Sequence, residues 1–305
     1  MRKLVLLIII IGFSGIVAGQ RKAKVTDLSG DNLFERVKTI QIIEYTAVVT
    51  DKSIEKGEKI SSLFKKYNQA GFLLESSEYN SDGSLMQKEV FEYDKRNNRI
   101  KEFLFSDDDK IDQYTEVKYN TLRLPIKMFI KDEKGRTFQK NTYQYNEKSE
   151  LTRLTGYDER GKMAERSYYS YDSKGNLILY TGYGEYDNRK ISYQYNSENK
   201  VTESLTLDLK GNFAEKIIYQ YDKIQNSIKK TYLDKDNKPL KSELCIYDKY
   251  ENLLEITLFD ANGVITENHF FSYKYDSVNN WITQITYTGT DKRIISVMER
   301  TIEYY

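Results

Sequence analysis

Tyr169-Ser170-Tyr171-Asp172-Ser173-Lys174-Gly175-Asn176-Leu177 is the stretch from which the fold is read. Side chains alternate along an extended chain, so Tyr169 and Tyr171 share one face. Asp172 opens a type I turn, and Gly175 supplies the positive φ that closes a hairpin through a bulge. Leu177 then begins the next apolar run. The unit recurs. Tyr67, Tyr93, Tyr119, Tyr145, Tyr171, Tyr195, Tyr221, Tyr247 and Tyr275 stand 26 residues apart, except for a 24-residue step into Tyr195 and a 28-residue step into Tyr275. Each is followed by Asp or Asn, and the residue two before it is apolar in every copy but Lys65. An internal period of this length decides the architecture before local propensity is consulted.

Each unit contains two halves. Twelve residues after each landmark tyrosine a second aromatic or aliphatic residue recurs, as at Tyr79, Phe105, Tyr157 and Tyr183, with Lys131 as the exception, and four residues later comes a second turn, as at Gly83, Gly135, Gly161, Gly211 and Gly263. Asn97, Asn199 and Asn279 tolerate positive φ where glycine is missing, whereas Arg123 and Glu251 predict a different turn. The runs between turns are seven to nine residues long, as in Leu177 to Tyr183, which suits strands and is too short for helices. Both spacing exceptions are even, so the inward face stays inward. Pro125 and Pro239 fall just after turns, where a missing N–H costs the ladder least.

The expected fold is therefore all-β: an antiparallel meander of about 18–20 strands, coiled by its own twist into a curled or spiral open sheet. The expected divisions are residues 1–19, 20–62 and 63–305. Met1 to Gly19 carries Arg2 and Lys3, an apolar run from Leu4 to Ala18 and a small-residue end, the pattern of a secretory signal peptide. Residues 20–62 are β-branched but match no repeat, as a cap over a sheet edge would. Residues 63–305 are the repeat domain.

The strings Tyr169 to Leu177 and Tyr273-Lys-Tyr275-Asp-Ser-Val-Asn-Asn-Trp281 resemble the YD repeat of Rhs-type proteins, over about Tyr67 to Tyr287. The resemblance implies strands wound into a spiral shell and a link to carbohydrate binding. Large members enclose a toxic C-terminal domain. Here the repeat runs almost to Tyr305, so the chain looks most like the short secreted forms, and toxin delivery is not carried over.

Chemistry is sparse. Without Arg2 and Lys3 the chain has 45 basic and 46 acidic residues, which gives no basic excess for nucleic acid or anionic membrane. One His and one Cys leave zinc and Cys-His catalysis without ligands, and no cofactor or metal site is expected. Cys245 occupies the aromatic slot of the repeat and reads as packing, and His269 reads as a polar residue on a wet strand, at a bulge made by the two-residue insertion. Asp107 to Asp109 and Asp234 to Asn237 lie where turns want Asp and Asn, without the bidentate Glu of a calcium loop. Rows of tyrosine can stack on sugar rings, so the candidate ligand surface is Tyr143, Tyr145, Tyr169, Tyr171, Tyr193, Tyr195, Tyr219 and Tyr221 with Trp281, although a position repeated in every copy has a structural duty first. The expectation is an exported protein of the periplasm, outer surface or medium. It is not an enzyme, it does not insert stably into membrane once the signal is cleaved, and it binds a glycan or an envelope protein through its sheet. The alternatives are a polysaccharide-active enzyme with a carboxylate pair in a deep cleft and an assembly protein that pairs by its sheet edges.

Overall fold

The computed structural model describes residues 26–50, 53–185 and 187–305; the expected signal segment lies outside them. A four-residue helix, α1 (Asp27–Gly30), precedes β1 (Val37–Val49) and β2 (Ile54–Tyr67). The meander continues through β3 (Leu73–Asn80), β4 (Leu85–Tyr93), β5 (Arg99–Phe105), β6 (Ile111–Tyr119), β7 (Pro125–Asp132), β8 (Thr137–Tyr145) and β9 (Leu151–Asp158). Then come β10 (Met163–Tyr171), β11 (Leu177–Gly184), β12 (Arg189–Tyr195), β13 (Val201–Asp208), β14 (Phe213–Asp222), β15 (Ser227–Leu233) and β16 (Pro239–Tyr247). The last strands are β17 (Leu253–Asp260), β18 (Ile265–Tyr275), β19 (Trp281–Thr288) and β20 (Arg293–Tyr304).

Among the described residues every strand pairs antiparallel with the one before and the one after it, and β20 pairs with β1 from Val37↔Tyr304 to Thr46↔Ser296. The sheet is thus a closed barrel of twenty strands. This corrects the expected curled or spiral open sheet: the strand twist that would wind a spiral brings the two ends together, and nine ladder pairs seal the seam. Residues 37–46 of β1 and 61–67 of β2 are staves of that barrel. Beyond Thr46 on β1 and Ser61 on β2 the two strands pair only with each other, so their far end projects from the barrel as a hairpin carrying exposed Val48, Val49 and Ile54.

The turns explain the Tyr-Asp signature. In the reference stretch Asp172 N donates to Asn176 O at 2.9 Å, Gly175 N donates to Asp172 O at 3.1 Å, and Gly175 has φ +86. The Asp172 carboxylate accepts from the N–H of Lys174 and of Asn176, both at 2.9 Å, and these bonds hold its pKa below the usual range. Arg123 (φ +64) and Glu251 (φ +66) make the same turn, contrary to the expectation of another type, because Asn120 and Asp248 brace their loops in the same way.

Burial identifies the inner face. In β10 and β12 the tyrosine positions are half-buried and the residues between them exposed. Ile40, Phe91, Tyr143 and Cys245, all on that face by register, are buried. Twenty strands spaced ~4.8 Å apart give a ring roughly 30 Å across between backbones, wider than inward side chains can fill. Hydrophobic clusters form between neighbouring staves, such as Met128, Ile130, Tyr143 and Leu151. The outer wall carries cations over aromatic rings, with Lys131 over Tyr114 at 5.6 Å and Lys140 over Tyr157 at 5.1 Å.

Candidate functional site at the tyrosine rim

The Tyr-Asp turns all lie at one rim of the barrel, and there the odd strand and the even strand that follows it splay apart. Pairing of β9 with β10 ends at Arg153↔Tyr168, which leaves the carbonyl of Leu151 beyond the ladder. The Tyr171 hydroxyl donates to that carbonyl at 2.9 Å. Tyr93 does the same to Leu73, Tyr119 to Arg99, Tyr145 to Pro125, Tyr195 to Leu177 and Tyr221 to Val201, at 2.6 to 2.8 Å. Each hydroxyl satisfies a backbone acceptor at a place where the sheet cannot. Three positions depart from the pattern: Tyr67, whose hydroxyl goes to the Asp31 carboxylate, Tyr247 and Tyr275. β15 and β16 zip fully to Ser227↔Ile246, so no carbonyl waits for Tyr247. The longer β18 moves Tyr273 into the clasp on Leu253 at 2.8 Å and sends the Tyr275 hydroxyl to the Asp248 carboxylate.

Residues 26–36 cross this rim as a strap. Leu28 and Leu33 are buried against Val37, Ile40 and Tyr67. At one end Asp27 reaches the wall: its carboxylate accepts from Leu73 N at 2.7 Å, lies 3.2 Å from the Tyr93 hydroxyl and pairs with Arg99 at 3.4 Å. In the middle Asp31 pairs with Lys65 at 2.7 Å and takes the Tyr67 hydroxyl at 2.5 Å. At the other end the Phe34 peptide exchanges two bonds with the Asn280 side chain, at 2.8 and 2.9 Å.

Beside the strap is a cavity of about 230 Å³. Its walls are Phe72, Tyr93, Val117, Tyr119, Met128 and Tyr143, with Asn98, Thr115, Arg99, Glu102 and Asp27 as polar groups and Arg123 on a turn. Arg99 lies 4.3 Å over the Phe91 ring and 3.5 Å from Glu102. Burial works against its charge, but Tyr93, Asp27 and Glu102 outweigh that and raise its pKa. Burial pushes Glu102 up despite Arg99, and pushes Tyr119 and Tyr143 up to about 12.

All eight expected site tyrosines lie on the inner face by register, and only Tyr143 lines this cavity. The hydroxyls of Tyr145, Tyr171, Tyr195 and Tyr221 are occupied by clasps. Tyr169 leans on Tyr180, ring centres 5.3 Å apart, and with Tyr171 borders a shallow rim depression that includes Asn146, Lys148 and Glu150. Tyr193 is half-buried, and Tyr219 meets Ser204 at 3.5 Å. Trp281 is buried, 6.0 Å from the Tyr273 ring and with the Arg300 guanidinium 3.4 Å from its own ring centre. Burial lowers Arg300 to about 10. His269 sits in an unbroken ladder on both sides, not in a bulge, with Glu267 at 2.8 Å. Sequence reasoning missed Phe72, Arg99 and Asp27. Tyr93 and Tyr119 were visible as landmarks, but they were passed over because Phe91 and Val117 precede them in place of tyrosine.

No helix among the described residues is long and apolar enough to cross a membrane. No family model matches the chain, and no curated protein matches it. Among solved structures it is similar to a porin-like protein from Bacteroides uniformis, at 12% identity and a TM-score of 0.37, covering 88% of this chain and 96% of that one. It is also similar to a chain of the TcdB2-TccC3-Cdc42 structure, at 12% identity and a TM-score of 0.41, covering 86% of this chain but 16% of that one.

Proposed function

We propose that this chain is an exported, non-enzymatic barrel of the YD-repeat type that binds a glycan at the strap-covered rim. The observation that carries this reading is the cavity itself, where Phe72, Tyr93, Tyr119 and Tyr143 provide flat apolar surface beside the polar Asn98, Thr115 and Arg99. Aromatic faces suit the C–H faces of sugar rings, and a few convergent polar groups suit their hydroxyls. Asp27 and Glu102 are both held to Arg99, so neither stands free as the acid of a glycosidase pair.

The outer wall supports an aqueous setting. Arg166 and Lys216 fall next to the middle of β10 and β14 and face outward by register. A cation facing lipid at the midplane of a membrane barrel costs about 2–4 kcal/mol, and the wall repeats the arrangement. Closure also removes free edges except at the projecting end of β1 and β2, which leaves edge pairing little sheet to use.

The test is a glycan array probed with the chain from Gln20 onward, repeated with Thr115→Trp, which fills the cavity from a strand that keeps its pairing. Saturable binding to one glycan class that Thr115→Trp abolishes, with an unchanged melting curve, is the expected result. Binding that survives this substitution, or none at all, sinks the reading.

A further inference from the structure

Asp27 is the one strap carboxylate that enters the cavity, and everything that holds it there belongs to the barrel wall. One of its oxygens takes the Leu73 N–H at 2.7 Å and lies 3.2 Å from the Tyr93 hydroxyl, whose proton goes to the Leu73 carbonyl, and the other faces Arg99 at 3.4 Å. A backbone N–H and a guanidinium converging on one carboxylate form a receptor for that group, charge-assisted on one side and neutral on the other, with the Tyr93 ring beside them. The receptor opens on an aromatic wall formed by Phe72, Tyr93 and Tyr119.

We propose that this receptor recognises the carboxylate of an acidic sugar, a uronic acid within a polysaccharide, and that Asp27 is its built-in competitor. The proposal rests on the glycan reading above and names the sugar class. Charge accounting agrees with it. The side chains of Arg99, Arg123, Glu102 and Asp27 are the charged groups of the cavity, since Lys101, whose residue also borders it, turns its amine outward to Glu92 and the Phe103 ring. With Asp27 displaced, two cations face one carboxylate, and an incoming carboxylate restores neutrality. The strap need not leave as a whole. Leu28 and Leu33 anchor it against Tyr67, so the Asp27 side chain can swing away while the rest stays seated.

The experiment is calorimetric titration with oligomers of galacturonate, of hyaluronan and of alginate, each beside its carboxyl-reduced neutral counterpart. At least one acidic oligomer binds and its reduced form does not. Asp27→Ala tightens that binding about tenfold, the size of one charge-assisted bond, and Arg99→Gln abolishes it; near-ultraviolet circular dichroism confirms that both variants are folded. Equal binding of acidic and reduced oligomers overturns the proposal and leaves the glycan reading standing. Binding that Asp27→Ala weakens also overturns it, because the strap carboxylate would then be part of the site. Failure of every oligomer, acidic or reduced, counts against both, and the array separates the two, since neutral glycans bound there keep the first.

Discussion

The hydroxyl of Tyr145 donates to the carbonyl oxygen of Pro125 at 2.7 Å, across the gap that β7 and β8 leave at the rim. Tyr145→Phe keeps the ring and strands that acceptor, so a loss of about 1 kcal/mol is expected, the low end for an unsatisfied backbone group, because the rim is partly wet. Tyr247→Phe tests the explanation: with β15 and β16 fully zipped there is no carbonyl to strand, and its loss in urea denaturation should be clearly smaller. Equal losses would mean that the phenols act through packing alone.

Closure is testable at the seam. Gln41 and Thr301 face each other across β1 and β20. Gln41→Cys with Thr301→Cys should oxidise to one intramolecular disulfide and raise the unfolding temperature, since it ties two distant parts of the chain. Three free thiols in the denatured protein after air oxidation, the native Cys245 among them, would describe an open sheet.

Much of the turn chemistry was legible in the residues, because an Asp or Asn brace and a positive φ are decided within five positions. Closure was not. The strands that seal the ring, β1 and β20, carry no Tyr-Asp unit of their own, and pairing between Val37 and Tyr304 depends on curvature added up over every hairpin between them. Arg123 and Glu251 were misread because propensity at one site was weighed without the brace from Asn120 and Asp248. The cavity was half legible: its tyrosines lie on the period, whereas Asp27 belongs to a strap that matches no repeat.

Glu251 holds φ +66, where a β-carbon is strained and glycine is not. Glu251→Gly should stabilise the fold by roughly 0.5–1 kcal/mol, the strain relieved exceeding the extra freedom of the unfolded chain. A lower melting temperature would show that the Glu side chain has an unrecognised role.

Alkali should unfold the barrel steeply. Burial raises the phenols of Tyr119, Tyr143, Tyr171, Tyr195 and Tyr273 from 10.0 to about 12. The native state therefore binds more protons than the unfolded chain between those values, so stability falls as pH rises through that window and is fully present below 10. Tyrosinate absorbance and loss of circular dichroism should rise together. Phenols that ionise near 10 in the folded protein would contradict the burial.

Arg300 holds Nε and Nη1 buried without partners while stacked on Trp281. A desolvated stack contributes about 2 kcal/mol, whereas each unsatisfied donor costs about 1–3. Arg300→Met should therefore be neutral to stabilising, and the emission of the only tryptophan reports the change directly. A loss beyond about 2 kcal/mol would show that the guanidinium has a bonded partner.

A ring made of hairpins counts in whole numbers. Its first and last strands meet antiparallel only when the total is even, and each 26-residue unit contributes two, so the chain can shrink from twenty strands to eighteen by losing a complete unit and still join its ends. Loss of half a unit would bring β1 and β20 together running the same way, and the antiparallel ladder that seals the seam could not form. An open spiral tolerates any length, whereas here keeping the antiparallel join between two non-repeating strands requires that copy number change by whole units.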